Sequence, residues 1–384
     1  MQFMKILPEA NLNFISLRVL FCLLACLILN KPGFGSDLPA YQNRLQRSQA
    51  VIAVLADTRM TELSDFVIPY GVLKQAKVAE LKAVSPETGI IQFFPALQAR
   101  TELNFREFDQ QYPAGADYVI VPALHYADDA VILAWLQRQA QLGATMVAIC
   151  DGAWVLAHAG LLKNKQATSF WYAQKQLRQQ FPDTVWRGNL RYLSDQNVIT
   201  TSGVSAALPA SIALVAALAG PEKAQQLAQQ FGVKDWSARH DSQAFNFGWR
   251  DYWQIASNWL SFWRHQQHSL RLVPEIDEVA VALQADAYSR TYQDTVIAYS
   301  ETGADVISRN GLRFITQPPQ VRSAEKSLPA LGRLSAGEVL QRSLDEIAAQ
   351  RNAGTCRLVR LLLEAPEACR EKIHAEESAA KPAN

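Results

Sequence analysis

Thr145-Met146-Val147-Ala148-Ile149-Cys150-Asp151-Gly152-Ala153-Trp154-Val155-Leu156-Ala157-His158-Ala159-Gly160-Leu161-Leu162 decides the fold of this chain. Thr145 to Ile149 is a short apolar, β-rich run and reads as a buried strand. Cys150-Asp151-Gly152 makes a sharp turn. Ala153 to Ala159 continues as an apolar helix, which Gly160 can end. A strand that turns abruptly into a helix through a small residue is a nucleophile elbow. It lifts the turn side chain to the C-terminal edge of a parallel sheet. There the positive end of the helix is expected to favour the Cys150 thiolate. The plainer reading is a small buried cysteine at a strand end.

Strands and helices alternate on both sides of this stretch. Ala50 to Ala56 is a continuous apolar run, as in a strand covered on both faces. A helix is expected over Thr61 to Ala76, with Thr61 or Ser64 as cap. Val78 to Val84 and Ile90 to Phe94 read as strands around the turn Pro86-Glu87-Thr88-Gly89. Ala116 to Val121 is another buried strand, running into Pro122-Ala123-Leu124-His125. Asp128 or Asp129 caps the following helix. Helices are also expected over Ala173 to Phe181 and Ala206 to Leu218. The pattern predicts an α/β fold, a doubly wound and mostly parallel flavodoxin-like sheet over residues 45–222.

Residues 223–384 read as a C-terminal α+β extension. Within Gly232 to Arg264, aromatic residues crowd together, and Asp251 to Arg264 has the spacing of an amphipathic helix. Its aromatic face is expected to pack on the first domain or a partner subunit, with a membrane surface as the alternative. Ile276 to Thr316 repeats the layout of Leu63 to Thr101: a helix with a tyrosine, a strand, a Ser/Glu/Thr/Gly turn and a second strand. The second copy has no elbow. Val339 to Ala349 and Cys356 to Leu363 read as terminal helices, and Glu371 to Asn384 as a charged tail.

The chain has 384 residues, 49% hydrophobic and 19% charged, with a formal net charge of +1, so no broad basic face for nucleic acid is expected. None of its five cysteines has zinc-site spacing, and neither a metal nor a cofactor is implied. Residues 1–36 carry the eleven-residue apolar run Val19 to Leu29 after Lys5 and Arg18. Its length fits a secretory signal better than a transmembrane span. An uncleaved anchor from Phe14, lipidation at Cys26 and a misassigned start remain alternatives. Export implies a periplasmic or membrane-tethered protein, and a misassigned start a cytoplasmic one. In an oxidising compartment Cys356 and Cys369 can pair and leave Cys150 free, but spacing does not fix that pairing.

Ala148-Ile149-Cys150-Asp151-Gly152-Ala153, then Ala157-His158-Ala159-Gly160-Leu161-Leu162, then Ala167-Thr168-Ser169-Phe170-Trp171, resemble the ThiJ/PfpI family of the class I glutamine-amidotransferase-like superfamily. The branch is similar to the amidotransferase-like domain found in front of AraC-type regulators. The resemblance spans about Ala50 to Leu218. It implies that Cys150 is the elbow cysteine and that Asp65, in Ser64-Asp65-Phe66-Val67-Ile68-Pro69, is the acid held against it. It also implies an oxyanion or pocket wall from Ala123, Leu124, Asp151, Gly152 and Phe170. Two positions depart from the family. Phe170 stands where a histidine is common, so the usual base is missing. Ala123-Leu124 stands where a glycine pair is frequent, which tightens any oxyanion hole. His125 is the candidate substitute base, whereas His158 lies farther down the elbow helix. His374-Ala375-Glu376 lacks the strand context of an amidotransferase His-x-Glu.

Three functional readings stay open. The first is a small-molecule-binding or redox-responsive domain. The second is a hydratase, glyoxalase or amidase-type enzyme using Cys150 and Asp65, with His125. The third is a regulator-like domain without its DNA-binding part. The expected partners are a small molecule and a second copy of the chain in a homodimer, with a membrane tether through the N-terminal segment as a further option.

Overall fold

A seven-stranded sheet carries the elbow. The computed structural model describes residues 38–318, 326–366 and 369. The apolar run Val19 to Leu29, with Cys22 and Cys26, lies outside the described residues, as do His374 and the charged tail. The sheet strands in chain order are β1 (Ala50–Leu55), β2 (Ala79–Ser85), β3 (Leu103–Asn104), β4 (Tyr118–Val121), β5 (Thr145–Ala148), β6 (Tyr192–Asp195) and β7 (Val198–Thr201). Their spatial order is β6-β7-β5-β4-β1-β2-β3, and only the β6–β7 pair is antiparallel.

Burial on both faces explains the uninterrupted apolar strands. Along β1, Ile52 and Val54 join one buried cluster while Val51, Ala53 and Leu55 join the other. This is the two-residue alternation of a strand sandwiched between helical layers. Helices α1 (Leu63–Ala76) and α4 (Val204–Ala219) supply the first cluster. Helices α2 (Ala130–Gln141) and α3 (Gly152–His158) supply the second. Asp129 caps α2 by accepting from the Val131 and Ile132 amides. Thr61 and Ser64 do not cap α1. Thr61–Glu62 is a short strand instead, and Glu62 occupies the cap position without a side-chain capping bond to the helix.

The C-terminal half repeats a β–α–β unit. Helix α5 (Trp249–Leu260) leads into β8 (Gln266–Arg271), α6 (Glu278–Ser289) and β9 (Asp294–Tyr299), with β8 and β9 parallel as β1 and β2 are. Helix α6 packs on α1. Phe314 pairs antiparallel with Ala99, so the two halves share a five-stranded sheet. The described residues of both halves form one unit. Helices α7 (Ala336–Gln350) and α8 (Ala353–Leu363) close the fold, and a Cys356–Cys369 disulfide ties Cys369, beyond α8, back to the first turn of that helix. Among the described residues no helix is long and apolar enough to cross a membrane.

The aromatic stretch divides. Trp236 and Phe245 are buried, but Trp249, Trp253, Trp259, Phe262 and Trp263 are exposed. The expectation that this face packs on the first domain fails for these five, because α5 is fastened by its polar side instead.

Candidate functional site

The strand order reverses between β1 and β4, and a crevice opens outside their carboxyl ends, as the geometry of doubly wound sheets requires. It has a volume of about 600 Å³ and is bounded by Met60, Glu62, Phe94, Leu124, Asp151 and Trp154, with Ala123, His125 and Ala127 completing it. β1 leads to the first two, β4 to Ala123, Leu124 and His125, and β5 to Asp151.

Cys150 sits at the elbow with φ +53°, a left-handed conformation that a non-glycine residue adopts only under constraint. Its amide donates to Thr201 Oγ1 at 3.0 Å, and its carbonyl accepts from Ser169 Oγ at 3.2 Å. Gly152 permits the turn: a Cβ there would stand 2.1 Å from the Val121 carbonyl oxygen. The thiol is buried and is not among the residues that bound the crevice; Asp151 is.

The electrostatics reverse the expectation of a thiolate. Burial first, then the charges of Asp65, Asp151 and Glu62, push the Cys150 thiol well above its ordinary range. Asp65 is itself fully buried and held well above the usual carboxylate range, by burial and by Glu62. Its Oδ2 accepts from the Ala123 amide at 3.2 Å, and its Oδ1 has no hydrogen-bond partner among the described residues. Burial pushes Asp151 up to about 7, and Glu62 up to about 8 against the pull of Arg290.

The oxyanion geometry is also committed elsewhere. The Ala123 amide serves Asp65, and the Gly152 amide donates to the Ile149 carbonyl at 2.8 Å. Leu124 forms an isolated bridge with Thr61 and bounds the crevice. His125 lies exposed at the mouth, its ring edge-on to Tyr126. His158 is exposed on α3 between Trp154 and Phe181. Phe170 packs against the core, with its apolar ring close to Gly203 at the start of α4.

Four residues that sequence reasoning missed complete the site. Arg290, at the end of α6, pairs with Glu62 and with Asp286 (Nε to Oδ1, 2.5 Å), and its guanidinium lies 5.7 Å from the centre of the Phe94 ring. Glu364, just past α8, accepts from the Gly203 amide and pairs with His240 Nε2 at 2.6 Å. All three of Arg290, Glu364 and His240 come from the C-terminal half, and no spacing in the sequence joins them to Cys150. Glu62 adjoins the predicted helix start but gave no signal. Among the described residues no His, Cys, Asp and Glu cluster has metal-binding geometry.

A doubly wound, mostly parallel sheet with a cysteine elbow beneath a switch-point crevice defines the class: a flavodoxin-like α/β domain. Residues 50–217 match the model of the DJ-1/PfpI family. Similar proteins include the HTH-type transcriptional regulator CdhR of Pseudomonas aeruginosa, 31% identical over 112 residues, which are 29% of this chain and 33% of CdhR. The HTH-type transcriptional regulator GlxA of Rhizobium meliloti is 32% identical over 111 residues, 29% of this chain and 32% of GlxA. The chain thus spans about a third of the length of the curated relatives it matches. Among solved structures, Drosophila melanogaster DJ-1beta is similar with a TM-score of 0.44 and 22% identity, covering 49% of this chain and 100% of that one. A ThiJ/PfpI family protein from Pseudomonas syringae gives 0.43 and 22%, covering 52% and 82%.

Proposed function

We propose that the elbow domain is a small-molecule-binding module in which Cys150 shapes the site and is not a nucleophile. The observation that carries this reading is the thiol's position, buried under Asp65, Asp151 and Glu62 and pushed up in pKa, while an open crevice lies beside it. Thiol catalysis and peroxide sensing both need the thiolate. The missing histidine is not replaced by another base at its place, since Phe170 fills that neighbourhood with an apolar ring. The crevice offers two aromatic walls, Phe94 and Trp154, and two acids whose protonation changes near neutral pH, Glu62 and Asp151. That combination of apolar surface with a few placed polar groups suits a small ligand. The similarity to transcriptional regulators supports a signal-sensing use of the domain.

The test is a thermal-shift screen of small metabolites against the purified chain, followed by calorimetry on any hit. Binding should survive Cys150→Ser and disappear in Ala127→Trp, which fills the crevice. In parallel, iodoacetamide should leave Cys150 unmodified at pH 7.5 in the folded protein and modify it once urea is added. Saturable turnover that Cys150→Ser abolishes would overturn the proposal.

A further inference from the structure

The surface of α5 carries a feature that the elbow site leaves unexplained. Trp249, Trp253, Trp259, Leu260, Phe262 and Trp263 lie within fifteen residues and are each between 60% and 75% exposed. Side chains this large are not left together in water without a use. The opposite side of the helix is already engaged. Asp251 pairs with Arg357 at 3.0 Å, and Asn258 Nδ2 donates to the Thr291 carbonyl at 2.8 Å and to Thr355 Oγ1 at 3.1 Å. The aromatic face is therefore held outward by a fixed polar seam and has no folded partner within the described residues.

We propose that this face docks onto the surface of an anionic lipid bilayer. Three observations select that occupant. First, the patch is built on tryptophan, whose apolar ring and N–H suit the headgroup layer. Second, the exposed charges among and beside these residues are Arg250 and Arg264, while the one acid of the helix, Asp251, is buried and paired. The face is positive, which favours anionic headgroups. Third, the 37 residues before the described part carry the apolar run Val19 to Leu29, too short to span a bilayer unaided. Stable attachment takes two weak signals, and where that segment is retained as the uncleaved anchor the tryptophan face supplies the second.

The experiment mixes the full chain with vesicles of phosphatidylglycerol and phosphatidylethanolamine whose acyl chains are brominated, and reads tryptophan quenching. Leu260→Glu with Phe262→Glu keeps all nine tryptophans, so lost quenching reports lost docking. Both sites are exposed, and unchanged circular dichroism confirms the fold. Quenching is expected in the wild type, with vesicle affinity lowered about tenfold or more in the double variant. It should also weaken with salt or with purely phosphatidylcholine vesicles. The proposal is overturned by absence of binding, by binding without quenching (attachment through the N-terminal segment alone), or by equal binding to phosphatidylcholine. It is equally overturned if sedimentation shows a lipid-free dimer that the double variant converts to monomer, since a second copy then covers the face.

Discussion

Arg290→Met should destabilise the protein strongly, and more so as pH rises. In the wild type the guanidinium sits between Glu62 and Asp286, and all three side chains are nearly removed from solvent. Methionine fills similar space without charge. Asp286, fully buried, is then left with the Ser64 hydroxyl at 2.6 Å as its partner. An ionised carboxylate cannot stay there unpaired, so it takes up a proton on folding. Holding a carboxyl neutral above its ordinary range of about 4 costs about 1.4 kcal/mol per pH unit. The loss is therefore about 4 kcal/mol at pH 7 and about 2 kcal/mol at pH 5.5, in line with the ~3–5 kcal/mol typical of a broken buried pair. The sign follows from proton counts: the folded variant binds more protons than its unfolded chain, so its stability falls as pH rises. Urea unfolding at both pH values, followed by tryptophan fluorescence, measures it. Adding Asp286→Asn, which keeps a hydrogen-bonding group for Ser64, should recover about half the loss at pH 7. A loss below about 1 kcal/mol, or one independent of pH, would refute the account of a cation that holds the two halves together.

Four further substitutions probe the site and its frame. Gly152→Ala should prevent folding to soluble protein, because its Cβ meets the Val121 carbonyl at 2.1 Å; Gly160→Ala, with φ +73° and open space around it, should cost only about 1 kcal/mol in urea unfolding. Asp151→Asn should flatten the pH dependence of stability. With its folded pKa raised to about 7, wild-type Asp151 contributes stability at low pH that is lost as pH rises from about 4 through 7, at no more than about 1.4 kcal/mol per unit. Urea midpoints at pH 5, 6 and 7 compare the two slopes, and equal slopes would contradict the raised value. Cys356→Ser should lower stability by about 3 kcal/mol, the loop-closure value for the 13-residue separation of the bridge; dithiothreitol should reproduce that loss in the wild type and add nothing in the variant.

The sheet and the elbow were legible because both rest on local pattern. Continuous apolar runs such as Ala50 to Leu55 have one common cause, burial on both faces, and the strand–Cys–x–Gly–helix order has one geometry. Helix ends were less legible. Thr61 looks like a cap, yet it is drawn into a bridge with Leu124 and a strand beside Phe93, a tertiary demand that outweighs capping preference. The chemistry of the site was the least legible part. A strand–turn–helix pattern reports where Cys150 is, but its protonation depends on what surrounds it in space. Arg290 and Glu364 lie 140 and 214 residues beyond it, on segments whose local sequence gives no reason to approach the elbow.

That distance bears on how the cysteine is to be understood. An elbow is strained, and a strained, positive-φ cysteine is ordinarily explained by reactivity. Here the strain has a second explanation. With φ +53° the backbone of Cys150 turns sharply enough to aim Asp151 at the crevice, and Ser169 fixes both residues, donating to the Cys150 carbonyl and to Asp151 Oδ1 at 3.3 Å. The surrounding charges follow the same logic. Burial raises Asp151 and the Ser169 hydroxyl lowers it; beyond these, Glu364, held by Gly203 and His240, raises it and Arg290 lowers it, so the C-terminal half adds to the field on the acid that faces the crevice. Without the demand that the thiol react, every part still contributes. The elbow presents Asp151, the thiol fills the turn, and the second half tunes the charge. With that demand restored, the carboxyl groups around Cys150, the occupied Ala123 amide and Phe170 all oppose it.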